Sequence, residues 1–275
     1  MIRLLVAALV LGTGCRAPEP DDSARDRAGT KARKAAPTGR PGRVEGVVRY
    51  EGDLPSPLPV NLTGPHAAVC DSAKGVYEMS VVRGPGGGLA NAFISVEGVP
   101  QGEARGPQTR TIAIDDCVLK PYVIDGTVGD TLEIRNEDEL VYLCTLGGGP
   151  EAAFKQGVLP DRSSTFQLDR PGGRRIDCTQ DHPWLKGHVL VARHPYHAVT
   201  TASGRFTIEG VPPGRYTVQA WHPTQRQASA EVTVPPGGVG RVELVYRARA
   251  AAARPDGGRP DAPTKAAGPA VDDAH

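Results

Sequence analysis

Aromatic residues and long apolar runs are both scarce in this 275-residue sequence. The aromatic residues are 4 Phe, 7 Tyr and 2 Trp, and no apolar stretch reaches the roughly 18 residues that a membrane-spanning helix needs. A surplus of charge of one sign is also missing, because 32 Lys and Arg nearly balance 31 Asp and Glu. With no surplus of cations to neutralise phosphates, a nucleic-acid partner is not expected.

Turn-forming residues, by contrast, are abundant. The sequence has 34 Gly and 26 Pro, about twice their average usage. Many turns and little apolar bulk favour short strands over a helical bundle, so we expect an all-β fold of one or two sandwiches. Twelve segments alternate apolar and polar residues as strands do: 43–50, 77–84, 90–98, 109–115, 131–136, 141–146, 164–169, 188–194, 204–210, 215–222, 228–234 and 241–247.

The first 15 residues, MIRLLVAALVLGTGC, have the order of an export signal: one cation, a short apolar run and small residues. Because the run ends at Cys15, the segment resembles bacterial lipoprotein signals. Gly14 fits the small residue that precedes the Cys in that family, whereas Gly12 stands where the family has Leu. The resemblance implies that Cys15 is lipidated and anchors the protein in a membrane. The alternative is an ordinary cleaved signal with an incidental Cys.

Two segments have the composition of disordered chain. Residues 16–43 contain no Leu, Ile, Val or aromatic residue, and 248–275 contain a single Val. We therefore expect a flexible N-terminal tether, a folded region over 44–247 and a disordered tail. Arg16 follows the Cys where an Asp would resemble an inner-membrane retention signal, which favours the outer membrane.

The last third carries the pattern GRFTIEGVPPGRYTV, in which Pro212, Pro213 and Gly214 predict a turn between two strands. Five alternating residues supply the buried face of these strands: Phe206, Ile208, Val211, Tyr216 and Val218. The pattern resembles carboxypeptidase regulatory-like modules, which are small, usually non-catalytic, transthyretin-like sandwiches, here over 194–247. Their first strand often reads V-x-G-x-V, as Val44–Tyr50 does. That strand is thus a candidate for the C-terminal sheet, with the intervening domain as an insertion.

The region between about residues 75 and 194 resembles exported cupredoxin-like proteins. Three segments carry the likeness in the expected order: LANAFISVEG as an early strand, DDCVLKPYVIDGTVGDTLEIRNEDE, and IDCTQDHPWLKGHVLVARHPYHAVT. The resemblance implies a cupredoxin-like Greek-key sandwich over 44–193.

A type 1 copper site takes one Cys thiolate, two His and usually a weak axial Met. The Cys position falls on Cys178, but the first His position holds Tyr142 and the axial position holds Leu185. The second His should lie three residues after the Cys, whereas His182 lies four after it. We therefore expect no metal or other cofactor, with copper held by Cys178, His182 and Tyr142 as the alternative. The acidic turn 137–139 is interpreted as a solvated hairpin.

Four cysteines remain besides Cys15. In an oxidising compartment this even number predicts two disulfides, although four cysteines allow three pairings. The cupredoxin resemblance places the strand of Cys144 beside the end that bears Cys178, which implies that these two are bonded. It likewise implies a bond between Cys70 and Cys117.

These features together predict a membrane-tethered, non-catalytic binding or assembly protein of the cell envelope, whose partner is an envelope protein or a glycan. Its expected contact surface is His182, Trp184, Leu185, Trp221 and His222. Two alternatives stay open: a copper electron-transfer protein with a non-standard site, and a carbohydrate-binding module.

Overall fold

A computed structural model describes residues 39–53, 58–62, 69–70, 77–78, 82–100, 105–147, 154–178 and 184–247. Cys15, most of the tether, His182 and the tail lie outside the described residues. Within them, no helix has the length and apolar character to cross a membrane. The strands in chain order are β1 (Gly42–Glu51), β2 (Leu58–Pro59), β3 (Tyr77–Glu78), β4 (Phe93–Glu97), β5 (Thr109–Asp115), β6 (Val118–Lys120), β7 (Val123–Thr127), β8 (Thr131–Asn136), β9 (Tyr142–Gly147), β10 (Phe154–Val158), β11 (Ser163–Gln167), β12 (Gly172–Asp177), β13 (Lys186–Ala192), β14 (His197–Val199), β15 (Arg205–Val211), β16 (Gly214–His222), β17 (Gln225–Val234) and β18 (Val239–Arg247).

The first sandwich, which is transthyretin-like, combines β1 and β4 with the five C-terminal strands. One sheet has the order β15-β1-β18 and the other has the order β14-β4-β16-β17. β1 runs antiparallel to β15 and parallel to β18. Because alternate residues of a strand share one face, Val44 and Val48 of β1 enter the same core as Ile208 and Leu244. The V-x-G-x-V strand therefore lies in a sheet made of C-terminal strands.

The segment Phe93–Glu97 also belongs to this sandwich, which corrects its placement among the early cupredoxin-like strands of a 44–193 domain. β4 pairs with β14 and β16, and its Ile94 and Val96 are fully buried in the transthyretin-like core. Alternation shows that a strand has one buried face, but it does not show which sheet receives that face. The strands between β4 and β14 form an insertion into the transthyretin-like sandwich.

The inserted strands form the second sandwich, in the region whose sequence resembles cupredoxin-like proteins, and it is called the cupredoxin-like sandwich below. Its sheets have the orders β11-β8-β5-β6 and β10-β9-β12-β13-β7, with parallel pairing between β5 and β8 and between β7 and β13. The core between the two sheets contains Ile112, Leu132, Ile134, Tyr142, Cys144, Phe166, Ile176, Cys178, Leu185 and Val189, among others. The chain is thus all-β, as predicted, with one sandwich inserted into the other.

The outer faces of two sheets meet where the sandwiches join. In β13, Val189 and Val191 enter the cupredoxin-like core, so the alternate residues Leu190 and Ala192 face away from it. They line a cleft together with Phe93 of β4 on the outer face of the transthyretin-like sheet. Below, this junction is called the seam.

Candidate functional site

The disulfide Cys144–Cys178 lies where the cupredoxin resemblance places the metal thiolate. β9 and β12 are neighbours in the five-stranded sheet, with Thr145 opposite Asp177, so the two cysteines adjacent to this pair come together. Both are buried in the cupredoxin-like core. The predicted bond is confirmed. Because its sulfur is bonded to Cys144, Cys178 has no thiolate to offer a metal.

Tyr142, at the position predicted for the first His, is buried and hydrogen-bonded. Its hydroxyl donates to Oδ2 of Asp138 at 2.7 Å and lies 3.4 Å from Sγ of Cys117. Burial raises the pKa of Tyr142 far above its usual value, and the neighbouring Asp138 carboxylate raises it further. The phenol therefore stays protonated, which makes it a poor metal ligand.

Asp138 organises the loop beside Tyr142, which corrects the interpretation of this turn as a solvated hairpin. Its carboxylate accepts the backbone N–H groups of Asp116 and Cys117 at 2.9 and 3.0 Å, in addition to the Tyr142 hydroxyl. Asp116 and Cys117 have positive φ angles of 52° and 59°, a conformation that turns both N–H groups toward one acceptor. Cys117 is bonded to Cys70, which confirms the second predicted disulfide.

Trp184 and Leu185 complete this region as packing residues. Leu185, at the axial position, is fully buried in the cupredoxin-like core. Trp184 packs against Cys70 and Cys117, and its Nε1 donates to the Cys117 carbonyl at 3.1 Å. A disulfide, a protonated phenol and an alkyl side chain do not fit a type 1 copper ion. No group of three or more His, Cys, Asp or Glu in the described part of the chain is placed to hold a metal.

The predicted contact surface is wrong for two of its residues. Leu185 is inaccessible, and His222 is only 2% exposed. Burial lowers the pKa of His222 to about 4, so the ring is neutral at neutral pH. Trp221 is different, because it is half-buried and lines the cleft at the seam. Its ring also packs edge-to-face against the ring of His188, with 5.6 Å between the centroids.

A polar contact joins the two sandwiches at the seam. His197 of β14 lies with Nδ1 2.7 Å from Oδ2 of Asp125 and with Nε2 2.9 Å from Oγ1 of Thr127, both in β7. Burial favours a higher pKa for Asp125, but the hydrogen bond from His197 and the charges of His197 and Arg110 lower the pKa below its usual value. No sequence motif predicts this contact, because His197 and Asp125 are 72 residues apart in the chain.

Beside this contact lies a cleft of about 350 Å³. The transthyretin-like sheet contributes Phe93, Ser95, Glu97, Gln219, Trp221 and Gln227, among others. The cupredoxin-like sandwich contributes Gly172, Gly173, Leu190 and Ala192, and the connection to β14 contributes Arg193 and His194. The lining thus combines aromatic and aliphatic surface with amide, hydroxyl and carboxylate groups, the composition typical of small-ligand sites.

Comparison with known proteins supports the carboxypeptidase regulatory-like module in the C-terminal part of the chain. The family model described as "Carboxypeptidase regulatory-like domain" matches residues 180–247, which begin before β13 and end with β18. No curated protein matches the chain.

Among solved structures, amicyanin from Paracoccus versutus is 18% identical over 36% of this chain and 97% of its own, with a TM-score of 0.28. A purple cupredoxin from Nitrosopumilus maritimus is 18% identical over 30% and 98% of the two chains, with a TM-score of 0.27. A copper-containing nitrite reductase from Thermus scotoductus is 23% identical over 34% and 24%, with a TM-score of 0.27. At these TM-scores the likenesses carry no conclusion about copper or catalysis.

Proposed function

We propose that this protein is a non-catalytic binding protein of the cell envelope, in which the cupredoxin-like sandwich is a structural frame and not a copper centre. The observation that carries this proposal is the buried Cys144–Cys178 disulfide, which joins the strands where a thiolate ligand would lie. The protonated phenol of Tyr142 and the alkyl group of Leu185 support it. None of these three groups belongs to the ligand set of a type 1 copper site.

An exported location for this protein is supported by its cysteine chemistry. Two disulfides persist in oxidising compartments and are rare in the reducing cytosol. Together with the signal-like segment, they support export followed by lipidation of Cys15. The folded region that follows the tether would then bind its ligand near the membrane surface.

The copper part of the proposal is tested on protein that begins at residue 16, purified from an oxidising compartment. Cupric ion is added, absorption near 600 nm is recorded, and free thiols are counted after denaturation. We expect no thiols and no band in that region. Two thiols per chain with an intense band would overturn the proposal, because Cys178 would then be a metal-bound thiolate.

The anchor is tested by fractionation of cells that express the full chain or its Cys15→Ser variant. We expect the unaltered chain in the outer-membrane fraction after density separation, and the variant in the soluble periplasmic fraction. Equal membrane association of the two chains contradicts lipid anchoring at Cys15. Recovery of the unaltered chain with the inner membrane contradicts only the outer-membrane assignment.

A further inference from the structure

The strand register places complementary side chains on one wall of the cleft. In the antiparallel pair of β4 and β16, Phe93 lies directly opposite Trp221, and Ser95 lies directly opposite Gln219. Directly opposed residues project from the same face of a sheet with their Cβ atoms about 5 Å apart. The wall therefore has an aromatic end and a polar end, next to each other.

The polar end has unused hydrogen-bonding capacity. Gln219 accepts from Nε2 of Gln227 at 2.5 Å, and Ser95 donates to Oε1 of Glu97 at 2.8 Å. An amide has two N–H donors and two acceptor lone pairs, and a carboxylate accepts about four hydrogen bonds. One bond to each side chain thus leaves donors and acceptors side by side, which suits hydroxyl groups that both donate and accept.

The charges of the cleft favour an uncharged ligand. Its described lining has one carboxylate, Glu97, and one guanidinium, Arg193. Burial lowers the pKa of His194, and Nδ1 of this ring accepts the Tyr196 N–H at 3.3 Å. A neutral ring that accepts at Nδ1 carries its proton on Nε2, so it adds another donor without adding charge.

We infer that the cleft binds a neutral sugar ring of a glycan, with an apolar ring face on Trp221 and Phe93 and hydroxyl groups on Gln219, Gln227 and Glu97. This inference rests on the proposed binding function and specifies its ligand. A phosphorylated ligand needs more cationic groups than Arg193 supplies. A lipid chain would bury the amide and carboxylate groups without hydrogen-bonding partners, which is costly. The volume of about 350 Å³ lies near the lower end for ligand pockets and suits a short stretch of glycan.

The two tryptophans of the chain allow a direct test. Trp184 is held at the Cys117 carbonyl, so in a Trp184→Phe variant the fluorescence reports on Trp221 alone. The mature chain with Cys15→Ser and Trp184→Phe is titrated with short neutral oligomers of glucose, mannose and N-acetylglucosamine. We expect a saturating change in Trp221 emission with at least one series at millimolar concentration or below.

Calorimetry on chains that retain Trp184 then tests the cleft. Gln219→Ala or Trp221→Ala is expected to weaken binding about tenfold or more, since central anchors carry most of the binding energy. Trp221→Phe, which keeps an aromatic face, should lose less. Gln167→Ala is the matched control, because Gln167 is exposed on β11 and bonds Thr131. Urea unfolding of each variant shows that it is folded.

The inference is overturned if none of these oligomers binds, if Trp221→Ala and Gln167→Ala bind equally well, or if the cleft takes a fatty acid in preference to the sugars. None of these outcomes changes the copper result. A copper-free protein that binds no sugar therefore contradicts the ligand alone, whereas a blue copper band contradicts the proposed function.

Discussion

His197 and Asp125 join the two sandwiches through a contact of 2.7 Å between Nδ1 and Oδ2. Thr127 holds the other ring nitrogen of His197, and the His197 side chain is only 1% exposed. The ring of His197 also stacks on Phe93, with 5.8 Å between centroids, so the contact lies directly beside the cleft. The contact and the proposed ligand site therefore share Phe93 as a neighbour.

Removal of this contact should destabilise the fold. In Asp125→Ala the buried His197 ring keeps only Thr127 as a polar partner, and we expect a loss of about 1–3 kcal/mol in the free energy of unfolding. Urea denaturation near pH 7 measures it. Asp169→Ala is the control, because its carboxylate, which pairs with Arg170 and Arg174, is 60% exposed and its removal should cost less than about 1 kcal/mol. Equal losses in the two variants contradict the assignment.

The buried His222 should make the protein sensitive to mild acid. Its pKa in the fold is about 4, below the value near 6.5 of an exposed His, because burial disfavours the charged ring. Between these values the unfolded chain binds a proton that the folded chain does not, so stability falls as the pH falls from about 6.5 to about 4. The expected loss is about 3 kcal/mol.

Urea titrations at a series of pH values check this loss. His222→Gln removes the titrating group, so its stability should depend less on pH across that window than the stability of the unaltered protein. Parallel pH profiles for the two proteins would show that other groups cause the acid sensitivity.

Both disulfides should contribute several kcal/mol. They close loops between residues 34 and 47 positions apart, for which the chain-entropy estimate is about 4 kcal/mol each. We expect Cys144→Ala with Cys178→Ala to cost at least as much as Cys70→Ala with Cys117→Ala, because the first pair lies inside the main cupredoxin-like core and leaves a cavity there. Urea midpoints in the absence of reductant compare the two double variants. A negligible loss from the first pair contradicts its structural role.

The hydrogen bonds of Asp138 predict an order of effects. Tyr142→Phe removes one donor and should cost about 1 kcal/mol. Asp138→Ala removes a carboxylate that accepts from the Tyr142 hydroxyl and from two backbone N–H groups, so it should cost more. Thermal or urea unfolding distinguishes the two variants, and Glu139→Ala, on the exposed part of the same turn, serves as the control. A smaller effect for Asp138→Ala than for Tyr142→Phe would contradict the role of Asp138 as the loop anchor.

Alternation of apolar and polar residues predicts a strand wherever the residues that show it are close together in the sequence. The alternation in GRFTIEGV and RYTVQAWH predicted β15 and β16, because burial of one face requires that period. The same reasoning missed β7 and β12, since VIDGT and GGRRID contain glycines that weaken a strand pattern. Both strands pair with β13, a contact between distant parts of the chain that local alternation does not show.

The sequence alone predicted the all-β class, the carboxypeptidase regulatory-like module and the residue types at Tyr142, Cys178 and Leu185, since each depends on residue types at short spacing. Alternation could not assign Phe93–Glu97 to a sheet, because it shows that one face of the strand is buried but not which core receives that face. Nor could it show that Leu185 and His222 are buried, or that His197 reaches Asp125. Leu185 is buried by packing within the cupredoxin-like core, and His222 is buried beside Tyr246 of the transthyretin-like core. The contact between His197 and Asp125 depends on how two outer sheet faces meet. That meeting is set by packing between residues far apart in the chain, and it also created the cleft.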